Sequence, residues 1–353
     1  MWHGDRVAWD VIAREVLRHN PANAVTDVVE RVTLSDGGTA VHKRLRAPGQ
    51  SSDPRTQWAA SADPRHWNYW KREAEAYRHG ALQQSLSGTG LAMPTADVHL
   101  HPQAADLWLE DVVGTPGTAF TLDDHAALAT ALGRWQAAGP WVTPWTSRGF
   151  LRAYSADKVV PWQVLDDDAA WGRPLIRETW PAGLRDGWAR LLAHREQLLD
   201  VMEHLPRTRS HLDLWVSNQI RRPDGHVVLL DWAFLGDGAL GEDLGNHVPD
   251  AVFDLFWPAE ALPELDHTCF EAYLAGLREA GWRADERQVR LGVVASCVKY
   301  TWLLPLVLAR AGDAEHSAYH QATASGHLYS QRGLALSYLV GWCEEALRLL
   351  DPA

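Results

Sequence analysis

The spacing of apolar residues changes along the chain, from short β-branched runs near the N-terminus to helical periodicity further on. Two β-branched stretches, Val25 to Leu34 and Thr39 to Leu45, flank Ser35-Asp36-Gly37-Gly38, a sequence typical of a hairpin turn. A second pair of strands is predicted at Val98 to His101 and at Asp106 to Glu110. The pattern therefore predicts a small antiparallel sheet in the first third of the chain.

Apolar residues that recur every three or four positions predict helices elsewhere. A loosely helical segment, Val7 to His19, precedes the strands, and a helix over His66 to Leu86 separates the two strand pairs. Beyond the breaker cluster Gly114 to Gly117, helices are predicted at Thr121 to Trp135, Gly183 to Leu205, Glu264 to Ala280, Asp285 to Ala311, Glu315 to Ser325 and Tyr329 to Leu350. This order predicts an α+β fold with two lobes, residues 1–112 and 113–353.

The stretch from Ser210 to Trp232 departs from the helical pattern around it. Two short strands, Gln219 to Arg222 and His226 to Leu230, are joined by a Pro-Asp-Gly turn, in which proline presets φ and glycine supplies a positive φ. Asn218 enters the first strand and Asp231 leaves the second. The hairpin therefore predicts an amide and a carboxylate side by side at one of its ends.

A second carboxylate, Asp213, lies just upstream of this pair. Mg²⁺ prefers oxygen ligands such as those of Asn and Asp, and a further Asp can accept the proton of an attacking hydroxyl. The spacing His-x-Asp-x-x-x-x-Asn from His211, followed by a strand and Asp231, matches the catalytic-loop and metal-ligand pattern of kinases. The stretch therefore predicts a phosphoryl-transfer site.

On these residues the chain resembles the aminoglycoside phosphotransferase and choline kinase group, the small-molecule branch of the protein-kinase-like fold. Asp231-Trp232 stands where protein kinases have Asp-Phe-Gly, and Gly241 to Gly245 resembles the group's Gly-x-Asp-Leu-Gly/Ala segment. Leu212 is a departure, because the group more often has glycine there. The resemblance implies a bilobal fold, with a small antiparallel sheet and one key helix in the N-lobe and a larger, mostly helical C-lobe.

The resemblance also implies a role for each residue of the motif. Asp213 would be the catalytic base, and Asn218 and Asp231 would bind Mg²⁺. His211 would hydrogen-bond the backbone of the loop, and Asp243 would tie the segment after Asp231 to it. Outside such a motif, each of these would more often be a turn or capping residue.

In the first part of the chain, the resemblance implies a nucleotide site. Lys43 would contact the α- and β-phosphates, and Glu73 would hold its ammonium group; Glu75 is the alternative partner, on another side of the same helix. The backbone at Glu110 and Val112 would hydrogen-bond the purine. Because backbone contacts leave no side-chain signature, the sequence leaves open whether ATP or GTP is the donor.

Composition narrows the class of protein. The chain has 353 residues, 46% of them hydrophobic, and a formal charge of −12, which disfavours nucleic acid as a partner. Leu291 to Leu308 is strongly apolar but contains Lys299, which favours a buried helix over a membrane span. Three cysteines without a CxxC pair argue against a zinc site or disulfide framework, and no signal peptide is apparent. We expect a cytoplasmic protein with reduced thiols.

We therefore expect transfer of the γ-phosphoryl of ATP or GTP, with Mg²⁺, to a hydroxyl of a small molecule. The favoured acceptor is an antibiotic, an aminoglycoside or a nucleoside antibiotic, inactivated for resistance. The alternatives are a metabolic kinase of a sugar, amino sugar or choline-like alcohol, and a catalytically inactive binding module. The acidic residues between Asp237 and Glu260 form no compact cluster, so the less charged kind of acceptor is favoured. The oligomeric state stays open.

Overall fold

The computed structural model describes residues 10–51, 53–311, 317–318, 321–322 and 324–351. Its strands are β1 (Val11–Val16), β2 (Thr26–Leu34), β3 (Thr39–Arg46), β4 (Leu91–Ala92), β5 (Ala96–Leu100), β6 (Ala104–Glu110), β7 (Thr115–Pro116), β8 (Arg207–Ser210), β9 (Gln219–Arg221), β10 (Val227–Leu229), β11 (Gly236–Ala239), β12 (Ser317–Ala318) and β13 (Gln321–Ala322). Its helices are α1 (Arg72–Arg78), α2 (Gly80–Leu86), α3 (Leu122–Gln136), α4 (Phe150–Ala156), α5 (Asp168–Trp171), α6 (Pro174–Thr179), α7 (Leu184–Ala193), α8 (Arg195–His204), α9 (Glu242–Phe253), α10 (Leu262–Glu279), α11 (Glu286–Ala295), α12 (Leu303–Ala309) and α13 (Ser325–Leu350).

A five-stranded antiparallel sheet forms the first part of the molecule, in the order β1-β2-β3-β6-β5. Both predicted strand pairs are present in it, and Gly37 supplies the positive φ of the turn between β2 and β3. Ala74 of α1 and Trp70, just before it, pack with Leu45 and Leu107 of the sheet in one buried cluster. This packing fixes α1 against the strand that carries Lys43.

The predicted helix over Val7 to His19 is wrong where the chain is described. Val11–Val16 is the edge strand β1, which pairs antiparallel with β2, and residues 7–9 lie outside the described part. All residues of β1 except Val11 are exposed, so no apolar face existed to fix the period. Hydrogen bonds to β2, a tertiary interaction, determine its conformation.

A helical layer follows the sheet. Thr121 caps α3 in a capping box with Asp124. α10 lies against α3 at very short range: a Cβ on Gly276 would be 2.0 Å from the Thr130 carbonyl oxygen, and one on Gly133 would be 2.3 Å from that of Tyr273. Glycine at both positions therefore allows this crossing.

Several predicted helices are shorter than expected. The helix over His66 to Leu86 is α1 and α2, separated at His79, whose backbone is extended. The helix over Gly183 to Leu205 is α7 and α8, which meet at His194. Asp285 to Ala311 contains α11, a 3₁₀ turn and α12, and Pro305, which lacks an N–H for a helical hydrogen bond, lies just after the break.

The predicted helix over Glu315 to Ser325 is wrong where it is described. β12 and β13 are two residues each and pair antiparallel, and residues 315–316, 319–320 and 323 lie outside the described part. Short apolar runs do not distinguish a strand from a helix by period alone.

Among the described residues, Glu286–Ala309 is the one stretch of helix that is long and apolar enough to cross a membrane. Of its most apolar window, 83% is buried inside the protein, as expected for a core helix. The three cysteines are buried free thiols.

The central hairpin, β9 and β10, forms a small sheet in the order β4-β10-β9-β7, and β4 runs parallel to β10.

α2 and β4 contribute Leu82, Leu86 and Leu91 to the large core of the helical part. The chain thus enters this core before it completes the five-stranded sheet. The division at residue 112 stays a prediction.

Candidate active site

The end of the central hairpin brings Asn218 and Asp231 together, as the sequence predicts. The N–H of Leu230 donates to the Asn218 carbonyl oxygen at 2.8 Å. Asp231 follows with φ at 57°, a left-handed conformation that non-glycine residues adopt at a cost. This bend turns the chain out of the strand and leaves the Asp231 side chain 38% exposed at the hairpin end.

Asp213 lies beside the same hairpin end. The Asn218 side-chain amide donates to the Asp213 carboxylate oxygen Oδ2 at 3.2 Å and to its carbonyl oxygen at 3.0 Å. Since the NH₂ group of Asn218 makes these bonds, its Oδ1 is left for another partner. Burial raises the pKa of Asp213 to about 6, although the nearby Lys299 ammonium opposes the shift.

Asp243 holds the loop before Asp213 in place. It is fully buried, and its two oxygens accept from the backbone N–H groups of His211 (2.8 Å) and Leu212 (2.7 Å) and from the Gln136 side chain (2.8 Å). Burial raises the pKa of Asp243 to about 7, although the N–H groups of Leu212 and His211 oppose the shift. The contacts join α9 and α3 to the loop that carries Asp213.

His211 is also buried and fixes the loop through both ring nitrogens. Nδ1 accepts from the Asp213 N–H at 3.3 Å, so Nε2 carries the proton and donates to the Leu230 carbonyl oxygen at 2.9 Å. Burial lowers its pKa to about 4, which keeps the ring neutral. His211 therefore connects the loop to β10 and is suited to support rather than to proton transfer.

Leu212, which stands where the group more often has glycine, adopts a backbone conformation that favours glycine. Its φ is 65°, in the region where glycine is favoured and a leucine costs roughly 1–2 kcal/mol. The side chain is buried against Gly236 and Gly238, where an added Cβ would lie 2.7 Å and 3.0 Å from it. Burial of this leucine, made possible by two glycines of β11, offsets the backbone strain.

Lys43 connects the five-stranded sheet to the hairpin end. Its ammonium nitrogen lies 2.7 Å from Glu73 Oε2 and 3.0 Å from Asp231 Oδ1, and both Lys43 and Glu73 are buried. Glu75, the alternative partner, lies instead near the exposed Arg78 and His79. The structure therefore places Lys43, Glu73 and Asp231 in one ionic cluster.

The cluster is electrostatically coupled. Burial alone would lower the pKa of Lys43, but Asp231 and Glu73 outweigh it and the pKa lies above its ordinary value. Burial raises the pKa of Glu73 to about 7, while Lys43 opposes the shift. Burial also opposes ionisation of Asp231, yet Lys43 keeps its pKa below the ordinary value. Lys43 thus stays charged beside an ionised Asp231.

Arg72 is a site-positioning residue that the sequence analysis missed. It is fully buried and has no carboxylate partner among the described residues; burial lowers its pKa to about 9. Its guanidinium instead donates to the carbonyl oxygens of Trp145, Trp67, Ala233, Pro64 and His66. The contact with Ala233 ties the start of α1 to the segment that follows Asp231.

Glu110 and Val112 lie at the end of β6 and just beyond it. The Glu110 carboxylate accepts from the Thr95 N–H at 3.1 Å and pairs with Arg222, so its side chain has structural partners. The backbone N–H of Val112 donates to no described residue. The purine contact at the backbone of Glu110 and Val112 stays a prediction.

Four residues near Asp213 were not predicted as part of the site. Tyr154, Lys158, Lys299 and Asp250 all interact electrostatically with Asp213 or with one another around it. Lysine occurs only four times in the chain, at 43, 71, 158 and 299. That scarcity was the available signal, and two of the four lie here.

The residues at the hairpin end fit Mg²⁺ by their donor chemistry. Asp231 and Asn218 offer hard oxygen ligands beside the Asp213 carboxylate. The described residues contain no group of three or more His, Cys, Asp or Glu that would hold a metal alone. That agrees with an ion that shares its coordination with substrate phosphates and water.

Comparison with known proteins identifies the family. The model of the phosphotransferase enzyme family, APH, matches residues 70–286, more than half of the chain, whereas no curated protein matches by sequence. Similar solved structures include the amicoumacin kinase hAmiN in complex with AMP-PNP, Ca²⁺ and Ami, at 13% identity and a TM-score of 0.54 over 93% of this chain and 88% of that one. Another is a choline/ethanolamine kinase family protein from Mesorhizobium loti, at 16% identity and a TM-score of 0.50 over 96% and 92%.

These findings confirm the resemblance and the predicted α+β, protein-kinase-like fold. The chain belongs to the phosphotransferase enzyme family and is an enzyme that transfers phosphoryl groups to hydroxyl groups of small molecules.

Proposed function

We propose that this phosphotransferase moves the γ-phosphoryl group of ATP or GTP to a hydroxyl of a small-molecule antibiotic and thereby inactivates it. One observation carries the proposal. Asn218 is bonded to Asp213, and Lys43 to Asp231, at the end of the same hairpin. The residues proposed as base, metal ligands and phosphate-binding cation therefore lie close together, which supports the proposal.

Asp213 is the catalytic base of this proposal. It orients the acceptor hydroxyl and accepts its proton as the oxygen attacks phosphorus. Its raised pKa, about 6, brings it closer to neutral pH than an ordinary aspartate, which improves it as a proton acceptor. His211, neutral and bonded on both sides, keeps the loop in position.

Asn218 and Asp231 would hold Mg²⁺, which would neutralise charge on the triphosphate. Lys43 would contact the α- and β-phosphates while Glu73 keeps its ammonium group in place. The backbone at Glu110 and Val112 would receive the purine. These roles follow from the family motif and agree with the positions of the side chains.

The antibiotic as acceptor is favoured by association. The amicoumacin kinase shares the fold, and its structure was solved with AMP-PNP and Ami. A metabolic kinase of a sugar, amino sugar or choline-like alcohol is the second candidate, because a choline/ethanolamine kinase family protein shares the fold too. An inactive binding module is disfavoured, since a binder needs neither the base nor the metal ligands.

The acidic region between Asp237 and Glu260 offers little to a polycation. Asp237 pairs with Arg207, the Glu242 carboxylate accepts from the Ala239 N–H, and Glu260 accepts from Gln331. Because these carboxylates already have partners inside the protein, a less charged acceptor is favoured over a polycationic aminoglycoside. We place the enzyme in the cytoplasm, where its buried thiols stay reduced.

An acceptor screen tests the proposal. Purified protein, Mg²⁺ and ATP or GTP labelled at the γ-phosphate are incubated with nucleoside antibiotics, aminoglycosides, sugars and choline, and phosphate esters are detected by mass spectrometry. We expect esters of an antibiotic. Turnover of choline or a simple sugar, with no antibiotic phosphorylated, would favour the metabolic candidate.

A further inference from the structure

Two lysines near Asp213, Lys158 and Lys299, have no role in the function proposed so far. Their ammonium nitrogens approach the same ring, that of Tyr154, at 3.9 Å and 5.6 Å from its centroid. Lys158 donates to the Tyr154 hydroxyl at 2.6 Å, and Lys299 donates to the Asn246 side-chain oxygen at 2.6 Å. Both lysine side chains interact electrostatically with the Asp213 carboxylate. Two lysines therefore lie near the proposed base.

Aromatic rings enclose Lys158. Its ammonium nitrogen lies 3.6 Å from the centroid of the Trp58 ring and 4.5 Å from that of Trp302. Such faces attract a cation but carry no net charge to neutralise it. Burial, and then the neighbouring Lys299, lower the pKa of Lys158 to about 6. Asp213 and Asp250 oppose this shift, so the charge of Lys158 is compensated only in part.

The described residues supply no anion in direct contact with Lys158 or Lys299. No carboxylate oxygen of the described residues lies within 4 Å of either ammonium group, whereas Lys43 has two such partners. Asp250 is near, but Asn246 lies between, because it accepts from Lys299 and donates to Asp250. Each ammonium group has three N–H donors, and one of them is used by a described residue in each case.

A second observation points the same way. The indole N–H groups of Trp58 and Trp302, two of the rings near Lys158, are buried and have no hydrogen-bond partner among the described residues. Buried polar groups without partners are uncommon in proteins. Both of these unused groups are donors, so a ligand that reached them would have to supply acceptors.

We propose that Lys158 and Lys299 form an anion subsite for the acceptor, so that the hydroxyl presented to Asp213 belongs to a molecule with a carboxylate, sulfonate or phosphate group. This inference rests on the proposed function, since it assigns a ligand to the acceptor side of the same site. It also excludes choline-like acceptors. Aromatic enclosures recognise quaternary ammonium groups, and here the enclosure already holds the ammonium group of Lys158.

The donor nucleotide is the other source of an anion near Asp213, through its γ-phosphate. If the acceptor supplies the anion, the subsite stays free when the nucleotide is bound. If the γ-phosphate supplies it, the bound nucleotide fills the subsite. Sulfate serves as the probe, because it presents the shared chemistry without the rest of an acceptor. Calorimetric titration of sulfate, at constant ionic strength, is carried out on protein saturated with Mg²⁺ and AMP-PNP and on protein without nucleotide.

We expect sulfate to bind both forms of the wild type. Lys158→Met and Lys299→Met should each weaken it by about 10- to 100-fold, because a charge-assisted hydrogen bond is lost, and AMP-PNP affinity should be unchanged. The control is Arg185→Met, which removes a cation placed over Trp171 and paired with Asp168, away from this site. Lys158 is only half-buried, so we expect Lys158→Met to fold. This variant allows the test even if Lys299→Met does not fold.

Three results would overturn the inference. Sulfate binding that disappears in the AMP-PNP complex would assign the lysines to the donor phosphate. Wild-type protein that binds AMP-PNP but not sulfate would show that no anion subsite exists, as would lysine variants that bind sulfate like the wild type. Failure of AMP-PNP itself to bind would instead contradict the proposed function, and the same titrations distinguish the two failures.

Discussion

At the scale of single residues, the site consists of charges that compensate one another only in part. Asp231 neutralises the Lys43 ammonium group in this structure. We expect the same carboxylate to bind the metal ion once the nucleotide is bound. Asp213 has an amide as its hydrogen-bonded neighbour instead of a cation. This incomplete compensation is what a charged substrate and its metal ion would correct.

Asp231→Ala should abolish metal-dependent nucleotide binding, because the triphosphate would lose its Mg²⁺ ligand. Lys43→Ala should act more mildly, through weaker donor affinity and poorer phosphate alignment. Calorimetric titration with Mg-AMP-PNP checks both. The matched control is Asp224→Ala in the exposed turn at the opposite end of the same hairpin. If Asp231→Ala bound the complex as tightly as the wild type, the metal assignment would be wrong.

A site residue could be predicted from the sequence only where it belongs to a recognisable motif. Asp213, Asn218 and Asp231 have fixed spacing within one short stretch, so the local sequence was enough to predict that they lie close together. Lys158 and Lys299 are 141 positions apart, and only tertiary packing places both against Tyr154. No local sequence pattern predicts that Lys158 and Lys299 lie close together.

At the scale of elements, two buried polar contacts connect the parts that carry the site. The first is Arg72, which ties the start of α1 to the carbonyl oxygen of Ala233. The second is a pair of histidines, His125 on α3 and His247 on α9, whose Nδ1 and Nε2 lie 2.8 Å apart. Gln219 of β9 donates to the other nitrogen of His247 at 3.0 Å, so the pair reaches the hairpin.

Arg72→Lys should destabilise the protein despite keeping the charge. A planar guanidinium serves five carbonyl oxygens here, and an ammonium with three donors cannot reproduce that geometry. We expect a loss of about 2–4 kcal/mol in the free energy of unfolding, measured by urea denaturation. Arg78→Lys, on the exposed end of the same helix, is the control and should be near neutral. Equal stability of the two variants would contradict this role for Arg72.

The histidine pair predicts a pH dependence of stability. Burial lowers the pKa of His125 to about 4 from an ordinary 6.5, and burial also lowers the pKa of His247 well below its ordinary value. The folded state therefore holds His125 neutral, and its contribution is complete above the unfolded pKa and is lost as pH falls toward 4. Between pH 7 and pH 5 the wild type should lose about 2 kcal/mol relative to His125→Gln.

Urea denaturation of both proteins across this range measures the effect. Carboxylates with raised pKa, such as Asp243, change stability in the opposite direction, but they act in both proteins and cancel in the difference. Parallel pH profiles for the wild type and the variant would show that His125 is not held neutral.

At the scale of the whole molecule, the order of elements was predictable and some of their boundaries were not. The strand pairs and the central hairpin each have turn residues that fix them locally, such as Gly37 and Gly225. β1 was misassigned because an exposed edge strand has no apolar period, and its pairing with β2 is non-local. The close crossing of α3 and α10 through Gly133 and Gly276 likewise has no signature within either helix.

The central claim is that this site transfers a phosphoryl group with Asp213 as its base, and transfer by a matched variant tests it most directly. Single-turnover reactions with γ-labelled nucleotide, Mg²⁺ and the acceptor found in the screen are followed for the wild type and for Asp213→Asn. We predict that the variant binds Mg-AMP-PNP like the wild type but forms the phosphate ester at least about 10²–10⁴-fold more slowly. Ester formation at a near wild-type rate in a folded Asp213→Asn protein would contradict the account.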